Sequence, residues 1–242
     1  MKNFGRVSQA ILCLLAAASA HAQGFWQKKD YQKWSKDEVR EVLRDSPWAR
    51  TYTVGQVLIQ ALQENAAVSG RETNPQITYL AQIWSARPIR EALVRQEQLS
   101  GAAGKLPAEQ KAALLEKEAK FIAADFPQTV IVELIYGSSS QALDQDLTRY
   151  WQSQSPEMVK QFTYLIAGSR RIAPLQVGIG KGARHEIQLT FPRQVDGQPI
   201  VSSDDKHIAL QLQHPTIGVL PAQAVYIEFD LKRMTLNGQV VY

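Results

Sequence analysis

KHIALQLQ, residues 206–213, alternates apolar and polar side chains with a period of two. Its apolar positions are Ile208, Leu210 and Leu212. Because successive side chains of a strand point to opposite faces, this pattern predicts a β-strand with one buried and one solvated face.

The same alternation occurs in HEIQLTFPR at 185–193 and in AVYIEFDLKRM at 224–234. Before them, KQFTYLIA and IAPLQVGI are expected to form a hairpin around GSRR. Asn237-Gly238 is a strong signal for a tight turn that leads into QVVY, a short last strand. From about residue 160 onward, the sequence therefore predicts mostly antiparallel strands.

Toward the N-terminus, the spacing of apolar residues becomes helical. Helices are predicted at 35–45, at 85–99, at 106–125 and from Ser140 onward. The predicted strands of this half lie at 51–59, 77–84 and 129–136, and the first two could pair as a hairpin. The helices between 85 and 155 are the natural cover for an apolar sheet face. The predicted class is α+β, a mostly antiparallel sheet covered by helices on one face.

The first residues resemble a secretory signal peptide. Lys2 and Arg6 precede an apolar run that ends in Ala20-His21-Ala22, an A-x-A cleavage pattern. Cleavage between Ala22 and Gln23 is predicted, since the run is shorter than the ~20 apolar residues of a membrane-spanning helix. An uncleaved anchor is the alternative.

The remaining chain, 23–242, is predicted to form a single α+β domain, helix-rich over 30–158 and rich in antiparallel strands over 160–242. No segment after the signal is long and apolar enough to span a bilayer. The expected location is the periplasm or the extracellular space.

Composition excludes several function classes. Cys13 is the only cysteine and is removed with the signal, so the mature chain lacks disulfides, cysteine nucleophiles and thiolate metal sites. The net charge of +4 falls to about +2 without Lys2 and Arg6. Without a concentrated basic stripe, a nucleic-acid partner is not predicted.

WSKDEVREVLRDSPWAR, residues 34–50, carries a complete set of helix signals. Ser35 and Glu38 have the spacing of a capping box, and Trp34 and Val39 that of a hydrophobic staple. Pro47 is expected to stop the helix near residue 45.

Helix formation does not explain Trp48 and Arg50, which follow that stop. They are the candidate partner-binding residues. Other aromatic residues crowd the same region: Phe25, Trp26, Tyr31 and Trp34. Such a group can form a platform for a saccharide or an envelope protein. It can also pack a terminal helix onto the sheet, which the usual burial of tryptophan favours.

Sequence motifs of common enzymes are absent, including H-E-x-x-H, G-x-S-x-G and the phosphate-binding loop. The glycine-rich stretch 178–182 lacks the Ser or Thr that should follow its lysine, so it is interpreted as a strand connection. Asp144 and Asp146 point to different faces of their predicted helix, which argues against paired carboxylates. No cofactor is predicted.

One stretch has residue types that could bind a metal ion. Asp204, Asp205 and His207 lie close in sequence, and His185 would join His207 if their strands paired. The alternative is a turn that leads into a strand, because Ser and Asp favour turns. These four residues are weak metal candidates, since residues so close in sequence need distant ligands to complete a site.

The chain resembles a family of uncharacterised exported bacterial proteins. The similarity lies in the signal together with 29–50, IWSARPIREALVR at 83–95, LTFPR at 189–193 and the segment 229–242. It implies that these segments form one module, and it implies no activity or catalytic residue.

A non-enzymatic binding or structural role in the bacterial envelope is therefore expected. One alternative is a hydrolase-like enzyme whose Asp, Glu and His residues are dispersed in sequence. The other is a carrier of small apolar ligands, which requires a deep apolar cavity between sheet and helices.

Overall fold

A computed structural model describes residues 24–55 and 76–242. The predicted signal peptide, its cleavage site at Ala22 and Gln23, and residues 56–59 of the first predicted strand lie outside these ranges. Among the described residues, no helix is long and apolar enough to cross a membrane.

The helices follow the predicted pattern closely. They are α1 (Lys36–Arg44), α2 (Arg87–Ser100), α3 (Ala108–Ala123), α4 (Gln141–Ser153) and α5 (Pro156–Gln161). The capping box of α1 is confirmed, because Ser35 and Glu38 each accept a backbone N–H of the other. Ser140 precedes α4, and its side chain makes no capping hydrogen bond.

Four strands lie in or directly after the helical half: β1 (Ala49–Val54), β2 (Ile77–Ile83), β3 (Thr129–Ser138) and β4 (Tyr164–Ala167). The others follow in the C-terminal part: β5 (Arg170–Ile172), β6 (Gln176–Ile179), β7 (Glu186–Pro192), β8 (Gln194–Val195), β9 (Gln198–Pro199), β10 (His207–His214), β11 (Gln223–Asp230), β12 (Thr235–Leu236) and β13 (Gln239–Val240). Asn237 and Gly238 both have positive φ, which confirms a hairpin turn between β12 and β13.

The predicted α+β class with antiparallel strands is confirmed, and the larger strands divide between two sheets. The first sheet has the order β1-β2-β3-β7-β6, and the second has the order β11-β10-β4-β5. The expected hairpin near residue 170 forms only between β4 and β5, since β6 pairs with β7 in the other sheet. Strand β7 thus joins the C-terminal half to strands of the helical half.

Apolar faces of both sheets meet in one hydrophobic core. The apolar series that defined β10 (Ile208, Leu210 and Leu212) is buried there, as are Val132 and Leu189 of the first sheet. At one end of this core, Tyr79 of β2 contacts His214 of β10. Helix α4 covers that end, because Trp151 packs edge-on against Tyr79 with ring centroids 6.4 Å apart.

Helices α1 and α2 pack together beside the first sheet. The buried Gln82 of β2 donates its side-chain amide to the carbonyl of Leu43 in α1 at 2.7 Å. Two arrangements were considered for the aromatic residues around α1, an exposed platform and packing onto the fold. The structure shows packing. Trp26 lies edge-on to Trp48, and Phe25 lies edge-on to Trp34.

Candidate functional site

A pocket of about 250 Å³ lies between α4, α5 and the end of β10. Trp151, Met158, Val159, Phe162 and Pro215 provide its apolar walls. The other lining side chains are those of Tyr150, Gln154, Thr163, Gln213, His214 and Ala222, so the described lining contains no Asp, Glu, Lys or Arg. Such a mainly apolar concavity with few polar groups is the usual form of a small-molecule site.

The mouth of this pocket is open to solvent. Met158 and Phe162 remain 44% and 51% exposed, although both are large apolar side chains. Exposed apolar groups next to a concave surface are typical of binding sites. A ligand could therefore reach the pocket without a change in the fold.

His214 is the most unusual residue of the pocket wall, because its exposure is 0%. It continues the period-two series of buried residues in β10, which places its ring on the core face of the strand. Burial lowers the pKa of His214 to about 4, so the imidazole is neutral at pH 7.

One nitrogen of His214 is paired and the other is not. Its Nδ1 lies 2.8 Å from the hydroxyl oxygen of Tyr79. Its Nε2 is buried and has no hydrogen-bond partner among the described residues. A buried polar atom without a partner is rare in folded proteins and marks a place where a ligand can add one.

Tyr79 and Trp151 support His214 from within the core. Burial raises the pKa of Tyr79, so the phenol remains neutral. The interior continues behind Trp151 to Tyr136, whose buried hydroxyl also lacks a partner among the described residues. Sequence reasoning missed this cluster, although the alternation in β10 already placed residue 214 on the buried face.

The predicted histidine pair does not form, since β7 and β10 belong to different sheets. His185 stacks on Tyr136 and its Nδ1 lies 3.5 Å from Asp144 Oδ2. The Nδ1 of His207 lies 3.1 Å from Glu228 Oε1. Each histidine therefore has its own carboxylate partner.

Asp204 and Asp205 lie with His207 around a shallow surface pocket. Asp205 Oδ2 accepts the backbone N–H of Ser202 at 2.7 Å, the bond of a turn, which is the alternative considered for this stretch. Across 24–55 and 76–242, no three His, Cys, Asp or Glu residues are grouped in a way that could hold a metal ion.

The candidate partner-binding residue Trp48 lies in the core, and its burial argues against a direct contact with a partner. Its exposure is 0%, and its indole Nε1 donates to the backbone oxygen of Val241 at 2.7 Å. Arg50 is partly exposed, and its Nη1 lies 3.2 Å from Asp45 Oδ1. Val241, which accepts this hydrogen bond, is far from Trp48 in the sequence, so no local pattern could have shown that Trp48 is buried.

One carboxyl group outside the pocket is strongly perturbed. Burial, together with the nearby charge of Glu186, raises the pKa of Glu133 to about 7. Its Oε2 accepts a weak hydrogen bond from Gln188 Nε2 at 3.4 Å. Glu133 does not line the His214 pocket, so this acid lies apart from the apolar site.

The arrangement around His214 can bind an apolar group and offer it a polar contact from a buried ring nitrogen. No model of a known protein family matches this chain, and neither does any curated protein or solved structure.

Proposed function

We propose that this protein is exported across the inner membrane and binds a small ligand, without chemical conversion, in the pocket formed by α4, α5 and His214. The observation that carries the proposal is an apolar pocket lined by His214 and Trp151, each with a buried ring nitrogen that has no hydrogen-bond partner among the described residues. It agrees with a carrier role, which needs an apolar cavity between sheet and helices.

The size of the pocket supports a ligand with about one ring. A cavity of roughly 150 Å³ can hold benzene. The volume of about 250 Å³ found here leaves room for a ring with small substituents.

Binding can be tested with acetophenone as the probe. We expect saturable shifts of the Trp151 indole N–H signal in heteronuclear NMR spectra, because this side chain lines the pocket. Ala222→Trp should abolish these shifts by filling the exposed mouth with a large side chain. Val219→Trp is the matched control, since Val219 is 67% exposed and does not line the pocket.

Equal binding by the two tryptophan variants would place the probe elsewhere and contradict the proposed site. Two further compounds of similar shape, α-methylstyrene and benzoate, serve as additional probes. If neither they nor acetophenone bind the unaltered protein, the proposed function is overturned.

Export is supported by the signal pattern of residues 1–22 and by the resemblance to exported bacterial proteins. We expect protein recovered from the periplasm or the medium to begin at Gln23 when its N-terminal peptide is sequenced. Ala20→Arg should leave the precursor uncleaved, whereas His21→Ser, at the unconstrained middle position, should be processed normally. A mature protein that retains Lys2 would contradict the proposal.

A further inference from the structure

We infer that the ligand of the His214 pocket is an uncharged molecule with an apolar, ring-sized body and an acceptor oxygen that receives the Nε2 hydrogen of His214. The inference rests on the proposed function and specifies the ligand class.

The hydrogen-bond pattern around Tyr79 determines which nitrogen of His214 carries the hydrogen. Tyr79 has one hydroxyl hydrogen, and the only acceptor for it among the described residues is His214 Nδ1, at 2.8 Å. If His214 Nδ1 donated to the Tyr79 oxygen instead, the hydroxyl hydrogen of Tyr79 would be left without an acceptor among the described residues. Tyr79 therefore donates to Nδ1 of the imidazole.

A neutral imidazole that accepts at Nδ1 must carry its hydrogen on Nε2. That N–H is buried and unpartnered among the described residues, while Tyr79 occupies the other nitrogen. Because His214 has no exposed surface, a ligand oxygen must displace neighbouring side chains of the pocket wall to reach Nε2. An oxygen placed there would satisfy this donor, and a purely apolar ligand would leave it unsatisfied.

The pocket also excludes charged ligands. Its described lining contains no Asp, Glu, Lys or Arg, and its histidine is neutral at pH 7. A carboxylate would lose its hydration without gaining an opposite charge, and an ammonium group would in addition meet an N–H donor. Ketones, esters, amides and ethers fit this requirement.

Three probes of nearly the same shape test separately whether the ligand needs an acceptor oxygen and whether it must be uncharged. Acetophenone has an acceptor oxygen, and α-methylstyrene has a methylene group in its place. Benzoate carries a negatively charged carboxylate in place of the methyl ketone. Titrated into the full chain at pH 7, acetophenone should bind roughly three- to tenfold more tightly than α-methylstyrene, the effect of one hydrogen bond. Benzoate should bind at least about tenfold more weakly than acetophenone.

Tyr79→Phe tests the orientation of the imidazole, since Tyr79 acts as a positioning residue outside the pocket wall. In the unaltered protein, the ring nitrogen chemical shifts of His214 should show the hydrogen on Nε2. In Tyr79→Phe, the shifts should report a mixture of tautomers, and the preference for acetophenone should fall while the affinity for α-methylstyrene stays unchanged. Tyr226→Phe is the matched control, because Tyr226 is exposed and does not line the pocket.

The outcomes distinguish the two proposals. If α-methylstyrene binds as tightly as acetophenone, or if His214 carries its hydrogen on Nδ1, the acceptor inference is wrong but the pocket remains a binding site. Preferred binding of benzoate would overturn the requirement for an uncharged ligand. These comparisons use the unaltered chain, so they decide the inference even if Tyr79→Phe does not fold.

Discussion

Trp48 joins segments that are far apart in the chain. Its ring packs edge-on against Trp26 with centroids 5.7 Å apart, and its N–H donates to the backbone oxygen of Val241. A fully buried indole with its N–H paired contributes both apolar burial and a hydrogen bond. Trp48 therefore stabilises the fold, and Arg50 beside it remains at the surface with Asp45.

Substitutions at 48 and 50 should separate these roles. Trp48→Ala should lower the free energy of unfolding by about 3–5 kcal/mol, the usual cost of emptying a large aromatic site. Trp48→Phe should cost less, because most of the ring packing is retained. Arg50→Ala should change stability by under about 1 kcal/mol, as expected for a partly exposed ion pair. Urea denaturation measures all three, and a larger loss for Arg50→Ala than for Trp48→Ala would contradict this assignment.

At the scale of the element, α1 is specified by interactions within a few residues. Ser35 accepts the N–H of Glu38 at 3.2 Å, and the Glu38 carboxylate accepts the N–H of Ser35 at 2.7 Å. Lys29 adds an ion pair to the same carboxylate, and this contact contributes most to a lowered pKa of Glu38.

The cap can be removed and restored at a single position. Ser35→Ala should destabilise the protein by about 1 kcal/mol, because a backbone N–H of α1 loses its acceptor. Ser35→Asp should retain most of the stability, since aspartate is also a good cap. Thermal denaturation measures both variants, and equal losses for the two would show that the cap does not contribute.

The position of α2 depends on a buried cation. Arg90 is only 4% exposed, and its guanidinium donates to the carbonyl oxygens of Trp84, Ser85, Ile122 and Ala124. Trp84 and Ser85 directly follow β2, and Ile122 and Ala124 lie at the last residues of α3 and just after it. Arg90 thus connects three elements through backbone acceptors.

Arg90→Met should leave these carbonyl groups without their donor and lower stability by roughly 2–4 kcal/mol. Hydrogen exchange near the end of α3 should increase at the same time, because the helix loses its connection to α2. Arg149→Met, which removes an exposed ion pair with Asp146, serves as the control and should have little effect. Unchanged exchange in α3 would argue against this role of Arg90.

For the whole molecule, two buried groups make stability depend on pH in opposite directions. Glu133 has a pKa raised from 4.5 to about 7, so the folded state binds more protons between these values and stability falls as pH rises. His214 has a pKa lowered from 6.5 to about 4, so the unfolded state binds more protons and stability rises with pH across that window. The two effects partly cancel in the native protein.

Glu133→Gln should reveal the contribution of the carboxyl group. Above pH 7, this variant should be more stable than the native protein by roughly 1–3 kcal/mol, because a buried charge is removed. The difference should shrink as pH falls and largely disappear below pH 4.5, where both side chains are neutral. Glu157→Gln at an exposed site is the control. A difference that does not vary with pH would contradict the raised pKa.

Local sequence determined most of the secondary structure. The capping box specifies α1 because its partners are three residues apart, and the alternation over 206–213 specifies β10 because side-chain direction follows the backbone. Asn237 and Gly238 specify their turn because both positions need positive φ.

Only the tertiary structure decided which strands share a sheet, that Trp48 is buried and that His214 meets Tyr79. Those two residues are 135 positions apart, and their hydrogen bond exists only because the core faces of the two sheets pack together. The candidate site thus depends on contacts between distant residues, whereas the helices and strands depend on neighbours. Period and capping signals extend over a few residues only, so they describe the elements and leave open how the elements are arranged.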